Sequence, residues 1–230
     1  MHEKTKSVQN MKKEETEELV LDAAEILFGH YGLDKTSMDD IARSVRKSKR
    51  SLYNYFSSKE EIFYKALLRE IDRIKAKVRR YFSMNRDKHP LVLLKLYLIM
   101  RPEVIKGAVL FRQVLKNKFR FQELMQSSEE QVIIKKFNQW EHSLFFRIGK
   151  SSCHHSKLPE TEHERFAQSF ADMVQMALQG MNYAFFVENR YDQYKDSYNL
   201  LINIIMGSIE KNNEAMSMGV EWTDIQQELI

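Results

Sequence analysis

Glycine and proline are scarce in this chain, 7 and 3 among 230 residues. An all-β protein needs a turn every ten residues or so and draws on these two residues to make it, so helices are the expectation. A single cysteine, Cys153, excludes an intrachain disulfide and makes the reducing cytoplasm the expected compartment. Long apolar runs are missing too. The longest, Leu91 to Met100, is interrupted by Lys95 and falls far short of the roughly 20 residues a bilayer crossing takes. The opening segment MHEKTKSVQNMKKEE has no apolar stretch behind its charges, so neither a secretory signal nor a membrane partner is expected. Also absent are G-x-S-x-G, a phosphate-cradling glycine loop, H-E-x-x-H and any outstanding pair of carboxylates; no enzyme and no cofactor are expected. Cys153, His154, His155 and His163 match no usual zinc spacing, so no metal is expected either.

What is present is enough apolar material for a core, 43% of the residues, and 30% charged residues whose distribution is uneven. The net charge is only +4, and the excess of base lies wholly in residues 1–82, with 18 basic against 14 acidic side chains there and 18 of each beyond. Between Asp40 and Glu60 there is no acid at all, while Arg43, Arg46, Lys47, Lys49, Arg50 and Lys59 fall in that interval. A solvated helix face accounts for such a cluster as well as a polyanion footprint does, until the surrounding pattern is read.

That pattern is helical throughout. Leu19, Ala23, Ile26, Leu27 and Tyr31 recur at helical spacing in residues 14–31, with Gly29 and Gly32 closing the segment. Thr36 and Ser37 offer caps for a two-turn helix with Met38, Ile41, Ala42 and Val45 on one face. After a break at Arg46 and Lys47, Ser48 caps a third helix to Phe56 whose Leu52 and Phe56 face inward. Ser57 and Ser58, ahead of Glu60 and Glu61, open a long fourth helix through Val78. Pro90 starts a helix that Pro102 is expected to break. One or two short helices follow in 103–126 and another in 128–149, then a loop over 149–160 and two final helices, with the ends 1–12 and 212–230 loosely attached.

Two short helices joined by three or four residues, the second basic and hydroxyl-rich, make a helix-turn-helix. In SKRSLYNYF the inward Leu52 and Phe56 leave Lys49, Arg50, Ser51, Tyr53 and Tyr55 for a DNA major groove and its walls. Residues 21–67 resemble the N-terminal domain of the TetR family of bacterial transcriptional regulators, through Ala23-Ala24, Leu27-Phe28, Gly32, Thr36-Ser37-Met38, Ile41-Ala42, Ser48-Lys49, Leu52-Tyr53, Tyr55-Phe56 and Lys59-Glu60. The resemblance implies phosphate contacts from Thr36 or Ser37, Tyr53, Tyr55 and Lys59, with Ser48, Lys49 and Ser51 at the groove. Lys49 and Arg50, with Arg46 and Lys47 beside them, are the candidate base readers, arginine being best suited to guanine. Three positions depart from the family: Arg46 and Arg50 stand where glycine is usual, and Lys47 where an apolar residue is usual. A non-glycine residue in a left-handed turn costs about 1 kcal/mol. The added charge implies altered specificity or affinity.

The expected architecture is therefore all-α: a helix-turn-helix domain with its N-terminal arm in 1–57, joined by a long helix to a helical-bundle domain in 58–230. The resemblance implies a homodimer paired through the last two helices, a palindromic double-stranded operator and a small effector bound in the body. Phe170, Met181, Phe185, Tyr198, Leu201, Ile202, Ile205 and Ile209 are the candidate interface residues, because both helices carry more apolar surface than one side can bury. Phe111, Phe119, Trp140, Phe145, Met173, Met176 and Tyr183 are candidate pocket residues, ordinary core packing being the alternative for each. With few polar residues on inward faces, the expected effector is hydrophobic. The reading is a repressor released by such an effector; the alternative is a helix-turn-helix protein controlled by a protein partner.

Overall fold

The structure, a computed structural model, describes residues 2–120, 129–152 and 159–212. The described residues form nine α-helices and no strand: α1 His2–Lys35, α2 Met38–Ser44, α3 Lys49–Leu52, α4 Lys59–Met84, α5 Pro90–Lys106, α6 Val109–Arg120, α7 Glu129–Ser152, α8 Glu160–Asn182 and α9 Tyr191–Asn212, with a π-helical turn at Tyr183–Val187. None of them is long and apolar enough to cross a membrane. The chain divides into two compact units, residues 1–72 with 109–113, and 73–108 with 114–230. The division falls inside α4.

In the first unit α1, α2, α3 and the start of α4 enclose Val20, Ala24, Phe28, Ile41, Leu52, Phe56, Ile62 and Leu67. Phe28 meets Phe63 edge to face at 5.3 Å between ring centroids. The inward face of α1 differs from the expected one: Leu19, Ile26 and Tyr31 are exposed, while Val20, Ala24 and Phe28 are buried. Residues one position apart sit 100° apart on a helix, and α1 has apolar residues on both arcs. Arg69 on α4 reaches Glu18, Asp22 and Glu25 along the side of α1. Near its end α1 is interrupted at Gly32, whose φ of 79° and ψ of 168° belong to a region only glycine enters readily.

The start of α6 belongs to this unit as well. Ala108, preceding it, has no side chain able to cap, and the buried Glu70 of α4 does so instead, accepting from the amides of Phe111 (2.7 Å) and Leu110 (3.3 Å). Burial pushes the Glu70 carboxyl above the usual glutamate range, against the opposing pull of these amides. Gln113 donates to the carbonyls of Phe28 and Gly29.

In the second unit Gly149 of α7 faces Ala167 and Phe170 of α8; a Cβ at Gly149 would come within 2.9 Å of the Phe170 ring. Pro102 does not break α5, which continues to Lys106. Proline removes the amide that would donate to the carbonyl four residues back, at Leu98. The buried Tyr198 hydroxyl of α9 donates to that carbonyl at 2.7 Å and replaces the lost bond. The inward faces are also more polar than expected. Arg101 pairs bidentately with Glu141 (2.6 and 3.0 Å) and donates to Asn182 (2.8 Å), while the Tyr97 hydroxyl donates to Glu141. All four side chains are buried, a network that joins α5, α7 and α8. A fully satisfied buried pair of this kind fixes one packing arrangement, since breaking it strands a charge in the core.

Candidate nucleic-acid interface

Three local devices shape the surface that carries the basic residues. Ser37 caps α2 in a reciprocal box: its hydroxyl accepts from the Asp40 amide (3.2 Å), and the Asp40 carboxylate accepts from the Ser37 amide (3.0 Å). These Ser37 bonds hold the Asp40 carboxyl below its ordinary range. The α2 helix then ends in a Schellman arrangement, with Lys47 N–H bonded to Ala42 C=O (2.9 Å) and Arg46 N–H to Arg43 C=O (3.1 Å). The residue that must turn left-handed in that motif is Arg46, at φ 53°. Arginine therefore occupies the glycine turn without altering it, and bears the strain. Ser48 caps α3 by accepting from the Ser51 amide at 3.1 Å. The expected helix to Phe56 is shorter, giving way after Leu52 to turns closed by Asn54→Ser51 and Tyr55→Leu52 bonds.

The expected DNA-facing residues are distributed as follows. Ser37, Arg46, Ser48, Lys49, Arg50 and Tyr53 are exposed; Lys47, Ser51, Tyr55 and Lys59 are half-buried. Thr36 is buried, and its hydroxyl is taken by the Gly32 carbonyl at 2.8 Å, which corrects the expectation that it lies at the surface. Ser37 is exposed but donates its hydroxyl proton to Asp40 (2.6 Å). Lys59 donates to the carbonyls of Leu33 (2.8 Å) and Asp34 (3.4 Å), pinning the end of α1 to the start of α4. Lys49 pairs with Asp39 at 3.1 Å, which raises its pKa above the ordinary lysine value. The side chains of Arg46, Lys47 and Arg50 engage no hydrogen bond or ion pair among the described residues.

Ser37, Lys49, Tyr53 and Lys59 share a cleft of about 370 Å³, which Lys35 and Ser57 also line. Sequence reasoning missed the last two; a lysine at the close of α1, directly ahead of the α2 cap, was the available signal. Ser57 further donates, through amide and hydroxyl, to Glu61 at 2.7 Å, and Ser58 caps α4 by accepting from the Glu61 amide. These bonds from Ser57 lower the Glu61 pKa.

The residues expected in an effector pocket are placed as follows. Phe111 is core in the first unit. Phe145 is buried against Tyr97, and Trp140 is half-buried beside Phe137. Met173, Met176 and Tyr183 are exposed, and the side chain of Phe119 lies outside the described residues. The residues expected at the dimer interface are placed as follows. Phe170, Phe185, Tyr198, Ile202 and Ile205 are buried by the chain itself, and Met181 and Leu201 are half-buried. The side chain of Ile209 lies outside the described residues, as do Cys153, His154 and His155.

Two short capped helices, a left-handed turn between them and a basic outer surface define a helix-turn-helix domain. Over residues 20–66 the chain matches the family described as bacterial regulatory proteins, tetR family. These residues are thus similar to the N-terminal domain of that family. Among curated proteins the chain is similar to the biofilm operon icaADBC HTH-type negative transcriptional regulator IcaR of Staphylococcus epidermidis, 44% identical over 48 residues, covering 21% of this chain and 26% of that protein. The chain thus spans about a quarter of the length of the curated relatives it matches. The fold extends further than the sequence likeness. A transcriptional regulator from Cytophaga hutchinsonii superposes with a TM-score of 0.61 at 22% identity, over 83% of this chain and 96% of that one. A tetR-family transcriptional regulator from Streptomyces coelicolor does so with a TM-score of 0.58 at 15% identity, over 94% and 88%.

Proposed function

We propose that the protein is a cytoplasmic, homodimeric transcription repressor that occupies a palindromic DNA operator, and that it has no catalytic role. The observation that carries this reading is the turn and recognition helix, where Arg46, Lys47 and Arg50 stand without side-chain partners beside a capped α3. Cations left unspent on the protein are the groups that displace counterions from phosphates and reach base edges. Support for the dimer comes from α8 and α9, whose surfaces leave Met173, Met176, Leu200 and Ile204 exposed. Two such heads read successive half-sites when their recognition helices stand about 34–36 Å apart.

Selection of bound sequences from random duplex DNA by the purified protein tests the reading. The expected result is a palindromic consensus whose affinity falls linearly on a log–log plot against salt. Recovery of no sequence above background would sink it. Release by a small hydrophobic effector completes the proposal, since a ligand that prefers one shape of the dimer shifts the population between DNA-competent and incompetent forms. A thermal-shift screen of apolar compounds checks this part. A ligand that raises Tm and lowers DNA affinity is expected, whereas control by a protein partner predicts no such compound.

A further inference from the structure

The two leading cations of α3 are treated differently by the fold. Lys49 leans back toward α2, where Asp39 holds its ammonium at 3.1 Å, and it lines the cleft shared by Ser37, Tyr53, Ser57 and Lys59. Asp34 and Glu60 line the cleft too, the Ser37 and Ser57 hydroxyls go to Asp40 and Glu61, and Lys59 goes to two carbonyls, so the Lys49 ammonium, with N–H groups beyond the one given to Asp39, is the group left to meet a phosphate oxygen. Arg50, the next residue, is outside the cleft, exposed, and free of side-chain partners among the described residues. Its place in the first turn of α3 is the part of a recognition helix that meets base edges. Its fork of donors matches the two acceptors of guanine in the major groove, which a lysine meets only as a point charge.

We infer that Asp39 is a positioning residue that commits Lys49 to a backbone phosphate, and that Arg50 is the specificity-determining residue, reading a guanine in each half-site. This rests on the DNA-binding proposal above and adds a division of labour between adjacent residues. Asp39 has a second consequence. An acid between α2 and α3 repels any phosphate that approaches Lys49 from its own side, so the ammonium serves one direction of approach only.

The test uses the full chain and the palindrome it selects, with every symmetric single base-pair variant of each half-site, at several salt concentrations. Arg50→Ala is expected to lose roughly 5- to 150-fold on the preferred sequence and to equalise the four bases at one G·C position. Arg50→Lys, which keeps the charge but not the fork, is expected to keep the salt slope and still lose that discrimination. Lys49→Ala is expected to weaken all sequences alike and to flatten the salt slope by about 0.9 for each phosphate released. In Asp39→Asn the guanine preference is expected to stay while affinity for all sequences falls alike, Lys49 being no longer held in place; affinity equal to wild type on every sequence would overturn the role of Asp39. A consensus without guanine at any position sensitive to Arg50, or a base preference erased by Lys49→Ala and kept in Arg50→Ala, would overturn the inference. A wild-type protein that selects no sequence would instead overturn the regulator reading on which it stands. Thermal melting of each variant separates lost contacts from lost folding.

Discussion

Arg46 and Gly32 show how much a single backbone conformation decides. Both have positive φ, yet one position is filled by the residue such conformations favour and the other is not. At Arg46 the φ of 53° completes the Schellman end of α2, and a side chain there costs about 1 kcal/mol relative to glycine. Arg46→Gly is therefore expected to raise Tm by about 2–4 °C in a calorimetric scan, and to lower DNA affinity through the lost charge. A natural sequence that retains the less stable residue beside its recognition helix is what selection for binding at the expense of stability produces. Gly32 gives the opposite case. Nothing lies within 4 Å of a Cβ built there, so the cost of Gly32→Ala is purely conformational, about 1–3 kcal/mol. A fall in urea midpoint with no change in DNA affinity per folded molecule is expected; an unchanged midpoint would mean that α1 can end without the left-handed residue.

Among the elements, α6 depends on a group from another helix. With Ala108 ahead of it, the first amides of α6 rely on Glu70, and burial raises the pKa of that carboxyl above its ordinary value of 4.5. Folding then favours the protonated form. The stability this contributes is complete below pH 4.5 and is lost as pH rises through the folded pKa. Glu70→Gln cannot ionise, so the stability of wild type relative to the variant is expected to decline from about pH 4 toward neutrality, measured as urea midpoints across that range. A flat difference would mean that the α6 amides offset the cost of burying the charge. Nothing in the spacing of residues 70 and 110 announces this contact, because it joins helices forty positions apart. Caps are another matter. Ser37 with Asp40 and Ser48 as the cap of α3 are local and were legible in the sequence, as were the starts of α4 and α5. Failures occurred where tertiary contacts override local preference: α5 passes through Pro102 because Tyr198 supplies the missing donor, and α1, apolar on two arcs, buries the one with Val20, Ala24 and Phe28. The two short helices and the turn between them were legible for the same reason as the caps, since a helix-turn-helix is written within about twenty consecutive residues.

At the scale of the whole molecule the open quantity is how α8 and α9 divide their apolar faces. Both helices have too much apolar surface for one side, which the sequence shows, but it does not say which side the protomer keeps. The protomer keeps the aromatic side: Phe185 packs against Tyr191 and Tyr198 at 5.0 and 5.3 Å between centroids, and Phe170 is buried with them in the same unit's core. Left outside are Met176, 67% exposed, and Leu200, 60% exposed, with Met173 and Ile204 on the same helices. Met176→Glu combined with Leu200→Glu adds charge only where solvent already reaches, so the melting of the protomer fold should change by no more than about 0.5 kcal/mol per site. Burying two carboxylates against a second copy, by contrast, is prohibitive. Sedimentation is expected to show a dimer for wild type and a monomer for the variant. Because two linked heads bind a palindrome far more tightly than one head binds a half-site, affinity for the full operator should fall by roughly 10²- to 10⁴-fold, with half-site binding unchanged. A variant that stays dimeric, or a wild type that sediments as a monomer at micromolar concentration, would place the twofold contact elsewhere or remove it, and the spacing of two half-sites would then need another explanation.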